Sequence, residues 1–204
     1  MTELVVLLDE RGNAVGTMPK AAVHHGSTPR HLAFSAYLFD STGALLVTRR
    51  ALGKATFPGL WTNTVCGHPA PGEPLPQAVV RRARDELGTE PVSLRLVLPR
   101  FTYRAEMDGV VEDEWCPVYA GELADRSLAP LADEVADTEW VPWRVFADDV
   151  LTGRREVSVW CREQVRELGR LGPDPAAWPE ADAVQLPPAA QLPPAAQLPP
   201  AARA

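Results

Sequence analysis

The segment from Gly67 to Gly88 leaves the chain little choice of local structure. Pro74 and Pro76 suit the first turn of a helix, where an N–H has no partner to lose, and Gly88 suits its C-terminal stop. The spacing predicts a helix over about 77–87, with Arg82 and Glu86 four apart on one face and Arg81 and Asp85 paired likewise. Just ahead stand Val65, Cys66, Gly67, His68 and Pro69, then Gly72 and Glu73. A charged helix thus follows a glycine-containing loop, with a thiol and an imidazole at its threshold.

The flanking sequence is mostly strands. Leu4 to Leu8 is an apolar run of strand length ending in the turn signal Asp9 to Asn13. Lys20 to His25 suits a short helical turn. His31–Phe39 and Ala44–Thr48 flank a glycine-containing turn and predict a hairpin; Arg100–Arg104 and Val110–Ala120 predict a second around Met107, Asp108 and Gly109. Val92–Leu98 is another strand, and Val157, Trp160, Cys161, Val165 and Leu168 mark the apolar face of a late helix. Strands interleaved with two helices imply an α+β fold, a mixed sheet flanked by helices in a single domain over 1–172. Beyond Gly172, proline and alanine dominate, and Gln-Leu-Pro-Pro-Ala-Ala repeats three times from Gln185. Residues 173–204 therefore read as a low-complexity, disordered C-terminal tail, partly polyproline II.

Composition narrows the class. A formal net charge of −7 argues against a nucleic-acid binder. No segment has transmembrane length, and the apolar N-terminal run is too short for a signal peptide core. Cys66, Cys116 and Cys161 are an odd number and read as reduced thiols of a cytoplasmic protein. Lys20 and Lys54 are the only lysines and there are four histidines, so each carries a functional question.

The spacing of Gly67, Glu73, Arg81, Glu86 and Gly88 resembles the Nudix box, G-x5-E-x7-R-E-U-x-E-E-x-G-U. Asp85 is a conservative stand-in for the first paired acid, Ala83 and Thr89 are weak aliphatic matches, and one catalytic position is rewritten. Arg82 stands where the box has a glutamate that helps hold the metals for diphosphate cleavage. That change implies a diphosphate-binding scaffold without hydrolysis. Four further segments sharpen the resemblance: Lys20–Leu38, Thr48–Lys54, Trp61–Pro69 with its T-N-x-V-C-G-H-P, and Glu112–Val118 with its E-x-E-x-C-P-V. Together they are similar to type 1 isopentenyl-diphosphate delta-isomerases of the Nudix superfamily, over about 4–168, with the Nudix core about 31–165.

The resemblance implies a Nudix-like fold and a 1,3-allylic proton shift converting isopentenyl diphosphate to dimethylallyl diphosphate, in isoprenoid biosynthesis. Glu112 and Glu114 are two apart on a strand, so their side chains leave one face about 6.6 Å apart along it. With His24, His31 and His68 they form, by resemblance, an N3O2 shell for Mn or Zn. The spacing to His31 favours His24 over its neighbour His25. Cys66 and Glu114 match the two catalytic residues, exchanging protons on opposite faces of the alkene. Tyr103 matches a tyrosine that assists the acid, and Trp160 one that faces the carbocation, an attraction of about 2 kcal/mol when desolvated. Lys20, Arg50, Lys54 and Arg82 match diphosphate-binding positions. Glu86 matches a ligand of the Mg2+ ion bound with the substrate, and Cys66 is also counted, by resemblance, among the metal-binding positions. Trp61, Trp115, Trp140 and Trp143 read as ordinary core or interface aromatics.

The implied ligand is a small-molecule diphosphate, with no nucleic acid, membrane or obligate protein partner. Two rivals make different predictions. A Nudix pyrophosphohydrolase acting on a nucleotide would release phosphate and tolerate changes at Cys66; a non-catalytic diphosphate-binding module would bind without turnover.

Overall fold

Apolar runs and turn residues lay out two sheets. A computed structural model describes residues 3–191. The first sheet joins β1 (Leu4–Leu8), β2 (Ala14–Pro19) and β3 (His31–Leu32) to β9 (Thr102–Met107) and β10 (Val110–Trp115), in the order β2-β1-β3-β10-β9. The second is built on β4 (Phe34–Phe39), β5 (Ala44–Arg50), β8 (Pro91–Leu98), β11 (Val118–Leu123) and β12 (Val135–Pro142), in the order β12-β5-β4-β11-β8. The short β6 (Trp61–Thr62) and β7 (Val65–Gly67) pair with β5 and β4. Both sheets are mixed, since β10 runs parallel to β3 and β11 parallel to β4.

Those parallel pairs decide where the site lies. The expected strand over 31–39 is two strands split at Ala33, and the expected 110–120 strand is split at Cys116 and Pro117. Each half belongs to a different sheet. Pro117 has no N–H to continue a ladder, so the chain bends there. The Ala33 N–H donates to the Trp115 carbonyl at 2.9 Å and the Ser35 N–H to the Pro117 carbonyl at 3.0 Å, carrying the pairing across the bend. Residues at the end of one sheet thereby meet residues at the start of the other.

Helices cover the second sheet. All six residues of β4 are buried, and alternate side chains feed two cores. Phe34, Ala36 and Leu38 pack under α2 (Leu75–Leu87), whose buried positions Leu75, Ala78, Val79, Arg82, Ala83, Glu86 and Leu87 repeat at helical spacing. Tyr37 and Phe39 face α3 (Trp143–Leu151) and α4 (Val159–Leu171). The α2 helix begins two residues before the predicted start, with Pro76 in its first turn, and ends at Gly88, whose φ of 67° is left-handed. Ser158 caps α4, its hydroxyl accepting from the Cys161 N–H at 3.3 Å. The short α1 spans Lys20–Val23. β2, β12 and α3 have no counterpart in the sequence reading, which expected two helices.

The expected boundary at Gly172 is corrected. Residues 173–191 pack on the domain through short 3-10 turns. Trp178 is 2% exposed and sits edge-on to Trp143 at 5.0 Å and Phe39 at 6.0 Å. Its indole N–H donates to the Gly172 carbonyl at 2.9 Å. Leu186, in the first Gln-Leu-Pro-Pro-Ala-Ala unit, is also buried. A large apolar side chain in a proline-rich segment can find a seat that composition does not reveal. The later repeats, 192–204, lie outside the described residues.

Candidate active site

The junction of the sheets lines up three of the expected side chains. In the strand register Glu114 lies opposite His31 on β3 and opposite Tyr103 on β9. On the second sheet Cys66 pairs with Ser35, and His68 follows β7. Gly67 between them lets α2 come close, for a Cβ there would stand 2.9 Å from Arg82 Cγ. A cavity of about 400 Å³ results, lined by Cys66, His68, Arg82, Tyr103, Glu114 and Trp160 among others.

Three imidazoles crowd one carboxylate. Glu114 Oε1 is 3.1 Å from His68 Nε2, 3.3 Å from His31 Nε2 and 4.0 Å from His24 Nε2. One ligand atom from each of these four residues lies within 4.8 Å of the others. The His31 Nδ1 donates to the Pro29 carbonyl at 2.9 Å, which turns its Nε2 lone pair inward. That Nε2 faces His68 Nε2 at 3.2 Å, and His24 Nε2 is buried without a hydrogen-bond partner. Facing lone pairs and an orphaned ring nitrogen fit a cation bound among them. His25 is exposed and accepts from the Ser27 N–H, outside the cluster.

Glu112 shares the face but not the cluster. Tyr103 Oη is 2.8 Å from Glu112 Oε2 and 2.8 Å from Glu114 Oε2, so the phenol bridges the two acids. Burial and the neighbouring Glu114 charge raise the Glu112 carboxyl. Burial acts the same way on Glu114, but the imidazoles of His24, His31 and His68 around it outweigh burial and hold it well below the usual carboxylate range. Burial depresses His68 to about 4, leaving it neutral.

The thiol stands in a polar cage. Cys66 Sγ is 3.2 Å from Asn63 Oδ1 and 3.3 Å from Ser35 Oγ. Gln164 Nε2 donates to Ser35 Oγ at 2.9 Å, and Tyr37 donates to Gln164 Oε1 at 3.0 Å. Burial pushes the thiol up to about 11 despite these hydrogen bonds and the nearby Arg50. Trp160 packs between Tyr103, at 5.5 Å, and Phe57, at 5.3 Å.

The four expected cations line the same cavity. Lys20 pairs with Glu3 at 3.0 Å, Lys54 with Glu134, and Arg82 with Glu86 and, at 3.5 Å, with Glu134. The Arg50 guanidinium donates to the Thr56 carbonyl at 2.8 Å and lies 5.6 Å from the Trp160 ring centre. All the site residues expected from the sequence therefore lie in or beside one cavity. Glu3, Glu134, Ser35 and Gln164 had no expected role, and Asn63 figured only as a letter in a motif. No local pattern marks Glu134, which lies 48 residues beyond Glu86 in the chain but beside it in space.

Residues 29–161 match the NUDIX domain family. An isopentenyl-diphosphate Delta-isomerase of Saccharopolyspora erythraea is 54% identical over 188 residues, covering 92% of this chain and 96% of that protein. The chain belongs to the isopentenyl-diphosphate Delta-isomerase family. The isomerase of Mycolicibacterium vanbaalenii is 56% identical over 171 residues, covering 83% of this chain and 93% of its own length. Among solved structures, the DR0079 protein of Deinococcus radiodurans aligns with a TM-score of 0.62 at 23% identity, over 81% of this chain and 98% of its own. The MutT protein of Methanosarcina mazei aligns at 0.57 and 20% identity, over 70% and 94%. These two likenesses establish the Nudix fold; the isomerase relatives establish the family.

Proposed function

We propose that Cys66 and Glu114 exchange the protons of the family's reaction, with the alkene held between them. That reaction converts isopentenyl diphosphate to dimethylallyl diphosphate, and this chain is an enzyme of that activity. One arrangement carries the assignment. Cys66 and Glu114 line the same cavity, and each is oriented by its own polar network.

An unactivated alkene is a poor base, so its protonation needs an acid placed against it and a dry pocket. Tyr103 orients the Glu114 carboxyl through Oε2, leaving Oε1 toward the histidines. Cys66 is a thiol at neutral pH and so has a proton to give or, once lost, a sulfur to receive one. The Trp160 face stabilises the tertiary cation without supplying a nucleophile to trap it. Phe57 and Tyr103 hold that ring in place.

His24, His31, His68 and Glu114 would hold a divalent transition metal, Mn or Zn, with Glu112 behind them. Bound there, it would supply positive charge that makes Glu114 a stronger acid. Lys20, Arg50, Lys54 and Arg82 bind the diphosphate. Glu86, in a recess also lined by Cys66 and Glu134, offers the carboxylate oxygens that suit Mg2+. The substrate is a small molecule and needs no protein partner. Three free thiols support a cytoplasmic setting.

A nucleotide pyrophosphohydrolase is disfavoured by Arg82, whose guanidinium takes the place of a box carboxylate and pairs with Glu86. Incubation with isopentenyl diphosphate, Mg2+ and Mn2+ in heavy water, read by NMR, tests the assignment. Deuterated dimethylallyl diphosphate is the expected product. Release of inorganic phosphate would refute it.

A further inference from the structure

The cations expected to hold the diphosphate face more carboxylate than an anion site needs. Lys20, Arg50, Lys54 and Arg82 face Glu3, Glu86 and Glu134. Apart from Glu112 and Glu114, which line the same cavity beside the histidines, four cations against three carboxylates leave a single net positive charge. A fully ionised diphosphate monoester is a trianion, so this wall alone does not balance it; one divalent cation makes up the difference.

Glu134 is the carboxylate placed to control that balance. It touches two of the four cations, Lys54 directly and Arg82 at 3.5 Å. Glu86 shares Arg82 with it from inside the helix face. Arg82 is more than nine-tenths buried, and its Nε–H has no hydrogen-bond partner. A buried guanidinium with an unpaired donor favours an anion, yet its terminal nitrogen is already occupied by carboxylates. Glu3, by contrast, touches Lys20 alone, and its side chain is about half exposed.

We propose that Glu134 is a specificity-determining residue that makes diphosphate capture depend on a divalent cation, because it neutralises Lys54 and Arg82 until that cation restores the positive charge. This rests on the reading that these cations receive the diphosphate. Free diphosphate must compete with Glu134 for Lys54 and Arg82. A cation–diphosphate complex brings charge that satisfies Glu86 and Glu134 and frees both bases for phosphate oxygens.

Calorimetric titration of inorganic diphosphate tests this. The full chain is reconstituted with Mn2+, freed of excess metal, and titrated with and without saturating Mg2+. For the unaltered chain, Mg2+ should tighten binding by about tenfold or more, a gain of about 1.4 kcal/mol. Glu134→Gln should bind tighter without Mg2+ and shrink the Mg2+ enhancement about tenfold. Glu3→Gln, the same charge change at an exposed position, should alter the enhancement less than about twofold. An enhancement in Glu134→Gln equal to that of the unaltered chain, or an equal loss with and without Mg2+, would overturn the role of Glu134 alone. If the unaltered chain binds no diphosphate under either condition, the diphosphate site itself falls, and the proposal with it.

Discussion

The Cys66 thiol donates to Asn63 Oδ1 at 3.2 Å, and that oxygen cannot turn away from it. The Asn63 amide nitrogen is fixed by the Ala36 and Val65 carbonyls at 3.1 and 3.0 Å. The same oxygen receives the Trp160 indole N–H at 3.3 Å and the Thr62 hydroxyl at 2.9 Å. One buried amide therefore positions both the thiol and the aromatic face of the pocket.

This setting predicts an unreactive thiol in the metal-free protein. Burial lifts Cys66 to about 11, so little thiolate exists at neutral pH. Its alkylation by iodoacetamide, followed at that residue by mass spectrometry, should rise with pH and level off only near 11. An inflection near the ordinary thiol value of about 8.5 would contradict the prediction. Cys66→Ala should keep the fold by circular dichroism and lose turnover on the order of 10³-fold.

Removing the charge of Glu114 should empty the histidine cluster. Glu114→Gln keeps the size but loses the anionic ligand, leaving three imidazoles around an amide. Metal content after dialysis should fall at least about tenfold, with turnover reduced by 10²-fold or more, roughly the range for a proton-transfer group. Retention of metal with loss of activity would separate the two roles.

Tyr103→Phe deletes the hydroxyl between Glu112 and Glu114 and little else, since the ring still packs on Trp160 and Phe101. A hydrogen bond to a charged group contributes roughly 1.5–3 kcal/mol, so its loss should lower stability by that order and kcat about 10- to 100-fold. Unchanged kcat would remove Tyr103 from the catalytic set.

Trp178→Ala should destabilise the protein by about 3–5 kcal/mol, because it opens a cavity between Trp143 and Phe39. A drop in melting temperature of roughly 10 °C is expected by calorimetry. Truncation after Gly172 should lower it comparably. A truncated chain as stable as the full one would restore the shorter domain boundary.

Acid should unpick the turn before β5. Burial raises Asp40, but bonds from Thr42, the Ala44 N–H at 2.9 Å and Arg126 at 2.7 Å outweigh it and hold the carboxyl at about 2. A depressed folded value means that this stabilisation is present above the unfolded value of about 4 and is lost as pH falls toward 2. Asp40→Asn should be less stable at pH 7, and the difference should vanish by about pH 2. A difference independent of pH would assign the effect to packing.

Much of the local structure was legible in order along the chain. Proline at the start and glycine at the end bracketed α2 to within two residues, apolar runs placed β1 and β8, and turn residues placed the 107–109 turn. Motif resemblance named Cys66, His68, Glu114 and the cations, because those letters recur at fixed spacing. β2 and β12 escaped because neither alternates cleanly: β2 is mostly exposed, and β12 is buried only in part. Trp178 escaped because its neighbours are prolines and alanines.

The sequence by itself determined the helices with strong caps, the principal strands, and the chemical types available at each motif. Those properties depend on neighbours within one or two turns, where steric and hydrogen-bonding rules act directly. Tertiary structure alone decided that His31 and Glu114, 83 residues apart, sit in register. It also split two strands between sheets, closed Trp178 into the core and set Glu134 against Lys54 and Arg82. Such contacts depend on how both sheets bend at Ala33 and Pro117, and that bend is settled only when distant side chains pack together.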